Sequence, residues 1–271
     1  MFKEPSQALH PSDPVLSLAR LYPYLLEDGE NFACMLILPG GGFSQVSHQE
    51  GPPVAAWLNS IGISAVVLEY SVSSDEGPGT YPRPQQQANY AMRWLRAHAP
   101  ELNIDPKKIG VMGFSAGGNI AAGVSHGFER SEWQLDPDQC LAYVSARPDA
   151  SILAYGILSS FSLYQPRASM GNLFGAQQVG TELQRSICWD DYVHPEAPPT
   201  FLWHTVADPT VPVENSYHMA IALQQAQIPH ELHVFPCGEH GIGLGTIHSR
   251  RQGSADQWRG LAERWLRELN F

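Results

Sequence analysis

A serine stands among small residues in Gly113-Phe114-Ser115-Ala116-Gly117, between the apolar run KIGVM and the small-residue stretch NIAAGVSH. A backbone that bends sharply from strand into helix needs glycine, for positive φ and for close helix–sheet packing. A hydroxyl on such a bend stands clear of the sheet, and the following helix points its positive end at any oxyanion forming beside Ser115. The chemistry this permits is nucleophilic attack by oxygen. A serine hydroxyl is a weak nucleophile near neutral pH, so it requires a base, and the base requires an acid that holds it in the right tautomer.

Eleven histidines are available as the base. His240, in FPCGEHGIGLG, lies in a glycine-rich loop past the last expected strand, where its side chain can swing over the strand ends. His248 follows the same strand further along and is the alternative. His98 and His218 fall on expected helices, His204 inside a strand, and His230 and His233 beside or within another; these five read as structural. For the acid, HTVADPTVP puts Asp208 just past a strand and before a proline turn. With His240 one strand later, the chain order is Ser, Asp, His, as expected for a nucleophile on a strand–turn–helix bend. Asp190 and Asp191 are the fallback acids.

Oxyanion donors are expected from LPGGGF, residues 38–43, whose glycines let backbone N–H groups approach a substrate. A plain flexible turn or a phosphate cradle are the other readings of this loop. Neither the dinucleotide nor the P-loop spacing is met, because Gln45 and Val46 occupy the positions that matter. HELH at 230–233 looks like a metal-ligand pair, but on a strand residues three apart face opposite sides. Neither a metal nor a cofactor is expected.

These side chains need a frame. Six apolar runs read as strands: 32–38, 63–70, 108–113, 151–158, 200–206 and 231–235. Most are continuously apolar, as strands covered on both faces are. Helical patterns separate them, in PPVAAWLNSIG with its leading prolines, PQQQANYAMRWLRAHAP, VENSYHMAIALQQAQ and SADQWRGLAERWLREL. Ser254 and Gln257 have capping-box spacing at the start of the last of these. Alternating strands and helices predict an α/β fold with a mainly parallel sheet covered on both faces, and ligands bound at the carboxyl ends of its strands. PVLSLARLYPYLL is expected to add edge strands. Residues 159–199 break the rhythm with short helical patches and read as a small cap or insertion within one domain spanning 1–271.

The 271 residues are 43% hydrophobic and 16% charged, enough for a sizeable core. A formal net charge of −11 offers no basic surface for nucleic acid or anionic lipid. The N-terminal residues lack the apolar segment of a signal peptide and no run is long enough to span a bilayer, so a soluble, cytoplasmic protein is expected. The four cysteines, Cys34, Cys140, Cys188 and Cys237, are far apart and are expected to be buried free thiols.

Taken together, PGGGFSQVSHQEG, IDPKKIGVMGFSAGGNIAA, PPTFLWHTVADPTVP and GEHGIGLG resemble the α/β-hydrolase superfamily, and within it the small bacterial lipase/esterase-like or acetylxylan-esterase-like group. The resemblance runs from Ala33 onward. It implies a Ser115, Asp208, His240 triad, with the N–H groups of Gly41, Gly42 and Ala116 as the oxyanion hole. Pro39 stands where the hormone-sensitive-lipase pattern has a histidine before the glycines. The expected activity is hydrolysis of small-molecule carboxylic esters, acetylated sugars among them, through an acyl-enzyme. The insertion is rich in Gly, Pro, Gln and charge rather than in a long apolar face, so short acyl groups are expected. A prolyl-oligopeptidase-type peptidase and a non-catalytic binding module on a hydrolase scaffold are the alternatives.

Overall fold

The structure is a computed structural model that describes residues 6–159, 162–245 and 253–271. Its strands are β1 (Gln7–Ala8), β2 (Arg20–Tyr24), β3 (Phe32–Leu38), β4 (Ser64–Glu69), β5 (Ile104–Phe114), β6 (Ser151–Ala154), β7 (Thr200–Thr205) and β8 (His230–Phe235). They form one eight-stranded sheet in the order β1-β2-β4-β3-β5-β6-β7-β8. The pairings of β1 with β2 and of β2 with β4 are antiparallel, and every later pairing is parallel. The segment before Phe32 thus supplies the antiparallel edge.

The helices are α1 (Pro52–Ser60), α2 (Ser73–Glu76), α3 (Arg83–Ala97), α4 (Ala116–Gly127), α5 (Arg167–Phe174), α6 (Glu182–Arg185), α7 (Glu214–Gln225) and α8 (Trp258–Glu268). The continuously apolar strands feed two cores because successive side chains point to opposite faces. In β3, Cys34, Leu36 and Leu38 join the core under α3, α4 and α7, whereas Ala33, Met35 and Ile37 join the core under α1 and α8. Each fully buried Leu or Ile contributes about 1.5–3 kcal/mol relative to exposure, so both faces hold the sheet rigid beneath the loops at its carboxyl edge.

Three local expectations are corrected. The run 151–158 stays in the sheet only to Ala154, because Tyr155 takes φ 38° and the chain then passes over Ser115, with Ile157 N–H donating to the Ser115 carbonyl at 3.3 Å. Ser254 makes no side-chain cap, and a 3-10 turn over Ala255–Gln257 leads into α8 instead. Of the free cysteines, Cys34 and Cys188 are buried but Cys140 and Cys237 are exposed. Between β6 and β7 lie α5, α6 and three 3-10 turns. No helix among the described residues is long and apolar enough to cross a membrane.

Candidate active site

Ser115 sits at the junction of β5 and α4 with φ 52° and ψ −117°, a conformation that a non-glycine residue holds only when its surroundings enforce it. The enforcement is visible. Its N–H donates to the Ala154 carbonyl at 2.9 Å, and its carbonyl accepts from Asn119 N–H at 3.3 Å. The bend also depends on Gly117, where a Cβ would lie 2.0 Å from the Leu38 carbonyl oxygen, so only glycine lets α4 approach β3 this closely.

Two other strand ends bring the partners. Asp208 follows β7 by three residues and His240 follows β8 by five. Ser115 Oγ lies 2.7 Å from His240 Nε2, and His240 Nδ1 lies 2.7 Å from Asp208 Oδ2. An ionised carboxylate only accepts, so Nδ1 carries the proton and Nε2 is left to accept from the serine hydroxyl. The Tyr155 ring packs edge-on against the imidazole with centroids 5.1 Å apart.

Asp208 is 9% exposed. Burial alone would raise its pKa, but hydrogen bonds with His204 and His240 and from the Val211 N–H hold the carboxyl well below the usual range. Its Oδ1 accepts from the N–H groups of Thr210 and Val211 at 2.8 and 2.9 Å, and His204 Nε2 lies 3.4 Å from Oδ2. His204 is fully buried, with Nδ1 2.8 Å from Ser216 Oγ and Nε2 2.9 Å from the Val211 carbonyl. It supports the acid from inside the strand, consistent with a structural residue.

In the 38–43 loop, Gly41 and Gly42 have φ 123° and 63°. The Gly40 N–H is engaged by Glu50 Oε2 at 2.8 Å, whereas no acceptor for the N–H groups of Gly41, Gly42 or Ala116 is found among the described residues. A cleft of about 770 Å³ opens beside His240, lined by Ala207, Pro209, Thr210 and Glu239 among others.

The other candidates lie elsewhere. Asp190 Oδ2 is 3.8 Å from His218 Nδ1 rather than near His240, and Asp191 is exposed. His248 falls outside the described residues. His230 Nδ1 faces the Ile228 carbonyl and His233 Nε2 faces Glu231, and no metal-binding group of three or more such side chains occurs among the described residues. Sequence reasoning passed over Glu50 and Tyr155. Glu50 lies within a quoted motif, but an acidic residue in a loop carries no sign of burial, and Tyr155 reads as one more apolar strand position.

The BD-FAE family model matches residues 24–223. Among curated proteins, endo-1,4-beta-xylanase B of Butyrivibrio fibrisolvens is 34% identical over 229 residues, and acetylxylan esterase of Xylanibacter ruminicola is 29% identical over 213. These alignments cover 84% and 77% of this chain but only 35% and 41% of those proteins. Among solved structures, an acetyl ester-xyloside bifunctional hydrolase from Caldicellulosiruptor lactoaceticus superposes with TM-score 0.81 at 37% identity, covering 97% of this chain and 91% of that one. The propionate-bound esterase Est2 from Thermogutta terrifontis gives 0.79 at 26% identity, covering 98% and 94%. With a mainly parallel sheet of this order and a family match over 24–223, the chain belongs to the BD-FAE family and has the α/β-hydrolase fold.

Proposed function

We propose that this protein is a serine ester hydrolase that removes short acyl groups, acetyl above all, from small acylated molecules such as sugars. The observation that carries this is the continuous relay from Ser115 Oγ through the imidazole to Asp208, two contacts of 2.7 Å each, at the carboxyl edge of the sheet. The names of the relatives, acetylxylan esterase and acetyl ester-xyloside hydrolase, support the substrate class.

In the proposed mechanism the Ser115 oxygen bonds to the ester carbonyl carbon while His240 Nε2 takes the hydroxyl proton. The carbonyl oxygen becomes an oxyanion held by the N–H groups of Gly41, Gly42 and Ala116 beside the positive end of α4. The bond from carbon to the alcohol oxygen then breaks, and His240 returns the proton to the departing alcohol. Water repeats the sequence on the acyl-enzyme: its proton goes to His240, its oxygen to the acyl carbon, and Ser115 leaves with the proton from the imidazole. Asp208 remains ionised throughout and stabilises the imidazolium.

Residues 159–199 act here as a small cap. Within it, Asn172 Nδ2 donates to the Gly42 carbonyl at 2.9 Å, so α5 braces the oxyanion loop. A fluorophosphonate probe should form an adduct on Ser115, and p-nitrophenyl acetate should give a higher kcat/KM than the octanoate, without a rate jump at an emulsion surface. Absence of the adduct would favour a binding module, and an octanoate preference or interfacial activation would overturn the short-acyl reading. Cleavage of a prolyl peptide in place of esters would overturn the ester reading itself.

A further inference from the structure

Glu50 is the last residue of a 3-10 turn, His48–Glu50, between the oxyanion loop and α1, and it is 2% exposed. A carboxylate taken out of water costs several kcal/mol unless bonded groups offset the loss. Here each oxygen has a donor. Oε2 accepts from the Gly40 N–H at 2.8 Å and Oε1 from the Tyr155 hydroxyl at 2.7 Å. The Tyr155 oxygen in turn accepts from the Gly243 N–H at 3.0 Å, and Gln49 Nε2 in the same turn donates to the Gly241 carbonyl at 2.7 Å.

One short turn therefore bonds to both halves of the candidate site: the glycine loop on one side, and on the other the segment that carries His240. The fit is tight at Gly40, where a Cβ would fall 2.8 Å from Glu50 Oε2, 2.9 Å from the Phe114 carbonyl and 2.9 Å from Ser115 Cβ. The groups facing the carboxylate are Tyr155, His240 and the Ser47 side chain, with Tyr70 close enough to feel its charge. Tyr70 donates its hydroxyl to the Pro39 carbonyl at 2.6 Å, which pins the start of the same loop.

We infer that Glu50 is a positioning residue that sets the distance between the oxyanion donors and His240, working through Gly40 on one side and through Tyr155 and Gly243 on the other. The inference rests on the ester-hydrolase reading. During acyl transfer the oxyanion and the imidazolium form together, so donors and base must keep their spacing to act on one transition state, and small displacements there cost large factors in rate. A glutamine at this position keeps the shape but offers one acceptor where two are used, so either the Gly40 N–H or the Tyr155 O–H loses its acceptor. The oxyanion forms only on the way to the tetrahedral intermediate, so the loss should fall on turnover rather than on binding.

The test measures kcat and KM for p-nitrophenyl acetate, with melting temperature, in wild type, E50Q, Y155F and the double variant. Folded E50Q should lose about 10- to 100-fold in kcat with KM within about 2-fold of wild type, below the roughly 10²- to 10³-fold loss on removing an oxyanion donor outright, because the donors are displaced rather than removed. Y155F should lose less, about 3- to 10-fold, and the double variant should match E50Q, because both substitutions cut one path. An unchanged kcat in folded E50Q, a rise in KM alone, or multiplicative losses in the double variant would overturn the inference while leaving the ester reading intact. Should E50Q fail to fold, Y155F decides: it retains the bond to Gly40, and an unchanged kcat in it overturns the role assigned to Glu50. A wild-type protein with neither turnover nor a Ser115 adduct would overturn the ester reading itself.

Discussion

The two ends of α4 hold buried polar side chains in opposite circumstances. At the N-terminal end the Ser115, His240, Asp208 set is fully bonded, and Asp208 is ionised because donors more than offset its burial. At the C-terminal end His126 is 5% exposed, packs 6.4 Å from the Trp189 ring, and neither ring nitrogen has a partner among the described residues. Burial, aided by the nearby His194, lowers its pKa to about 3, so it stays neutral. The same helix thus carries a hydrogen-bonded polar site at one end and, at the other, a buried histidine with no protein partner among the described residues. Burial by itself makes a histidine inert, and hydrogen-bond partners make one able to move a proton.

The largest effect that would sharpen this contrast is at the bend itself. Ser115→Ala should lower kcat about 10⁴-fold or more, while His126→Leu should retain activity within about 3-fold. Equal losses in an esterase assay would break the comparison. Asp208→Asn should keep the fold and its melting temperature yet lower kcat by about 10³- to 10⁴-fold, since an amide favours the wrong imidazole tautomer and leaves the imidazolium unsupported. Near-normal turnover in the folded variant would remove Asp208 from the relay.

A smaller effect separates the helix ends by packing. Gly117→Ala puts a Cβ 2.0 Å from the Leu38 carbonyl, so the strand–helix junction must shift; a loss of about 100-fold in kcat and about 1–3 kcal/mol in denaturant stability is expected. Gly260→Ala, in α8 with nothing within 4 Å, should leave activity unchanged and gain about 0.5–1 kcal/mol.

The smallest effect concerns pH. A histidine whose folded pKa lies near 3 and whose unfolded pKa lies near 6.5 binds more protons unfolded across that window, so stability falls as pH falls through it. His126→Leu should remove about 2 kcal/mol of the loss between pH 7 and pH 5, read from paired urea melts. Glu50 and Asp149, both raised by burial, act in the opposite sense, losing stability as pH rises, and they cancel in the paired comparison. Parallel acid curves for the two proteins would show that His126 is solvated.

Much of the frame was legible. Continuous apolar runs such as FACMLIL and TFLWHTV became β3 and β7 at nearly the expected limits, because strands buried on both faces are mostly apolar and admit a polar side chain such as His204 only where it is hydrogen-bonded. The bend at Ser115 was legible because glycine and alanine crowd there for steric reasons that act locally. The end of β6 was not: Tyr155 leaves the sheet to cross over Ser115, a choice made by contacts with β7 and the 241–243 segment rather than by its neighbours in the chain.

The sequence by itself determined the alternation of strand and helix, the order Ser115, Asp208, His240 and the glycines beside them, since periodicity, bend chemistry and strand-end loops are written within a few residues of each position. Only the tertiary structure decided that those three side chains meet at 2.7 Å, that Asp190 faces His218 instead, and that Glu50 lies buried between two loops. The physical reason is range. Local pattern specifies what each segment becomes, whereas contact between residues 125 apart, as Ser115 and His240 are, exists only once the parallel sheet has set its strand ends side by side.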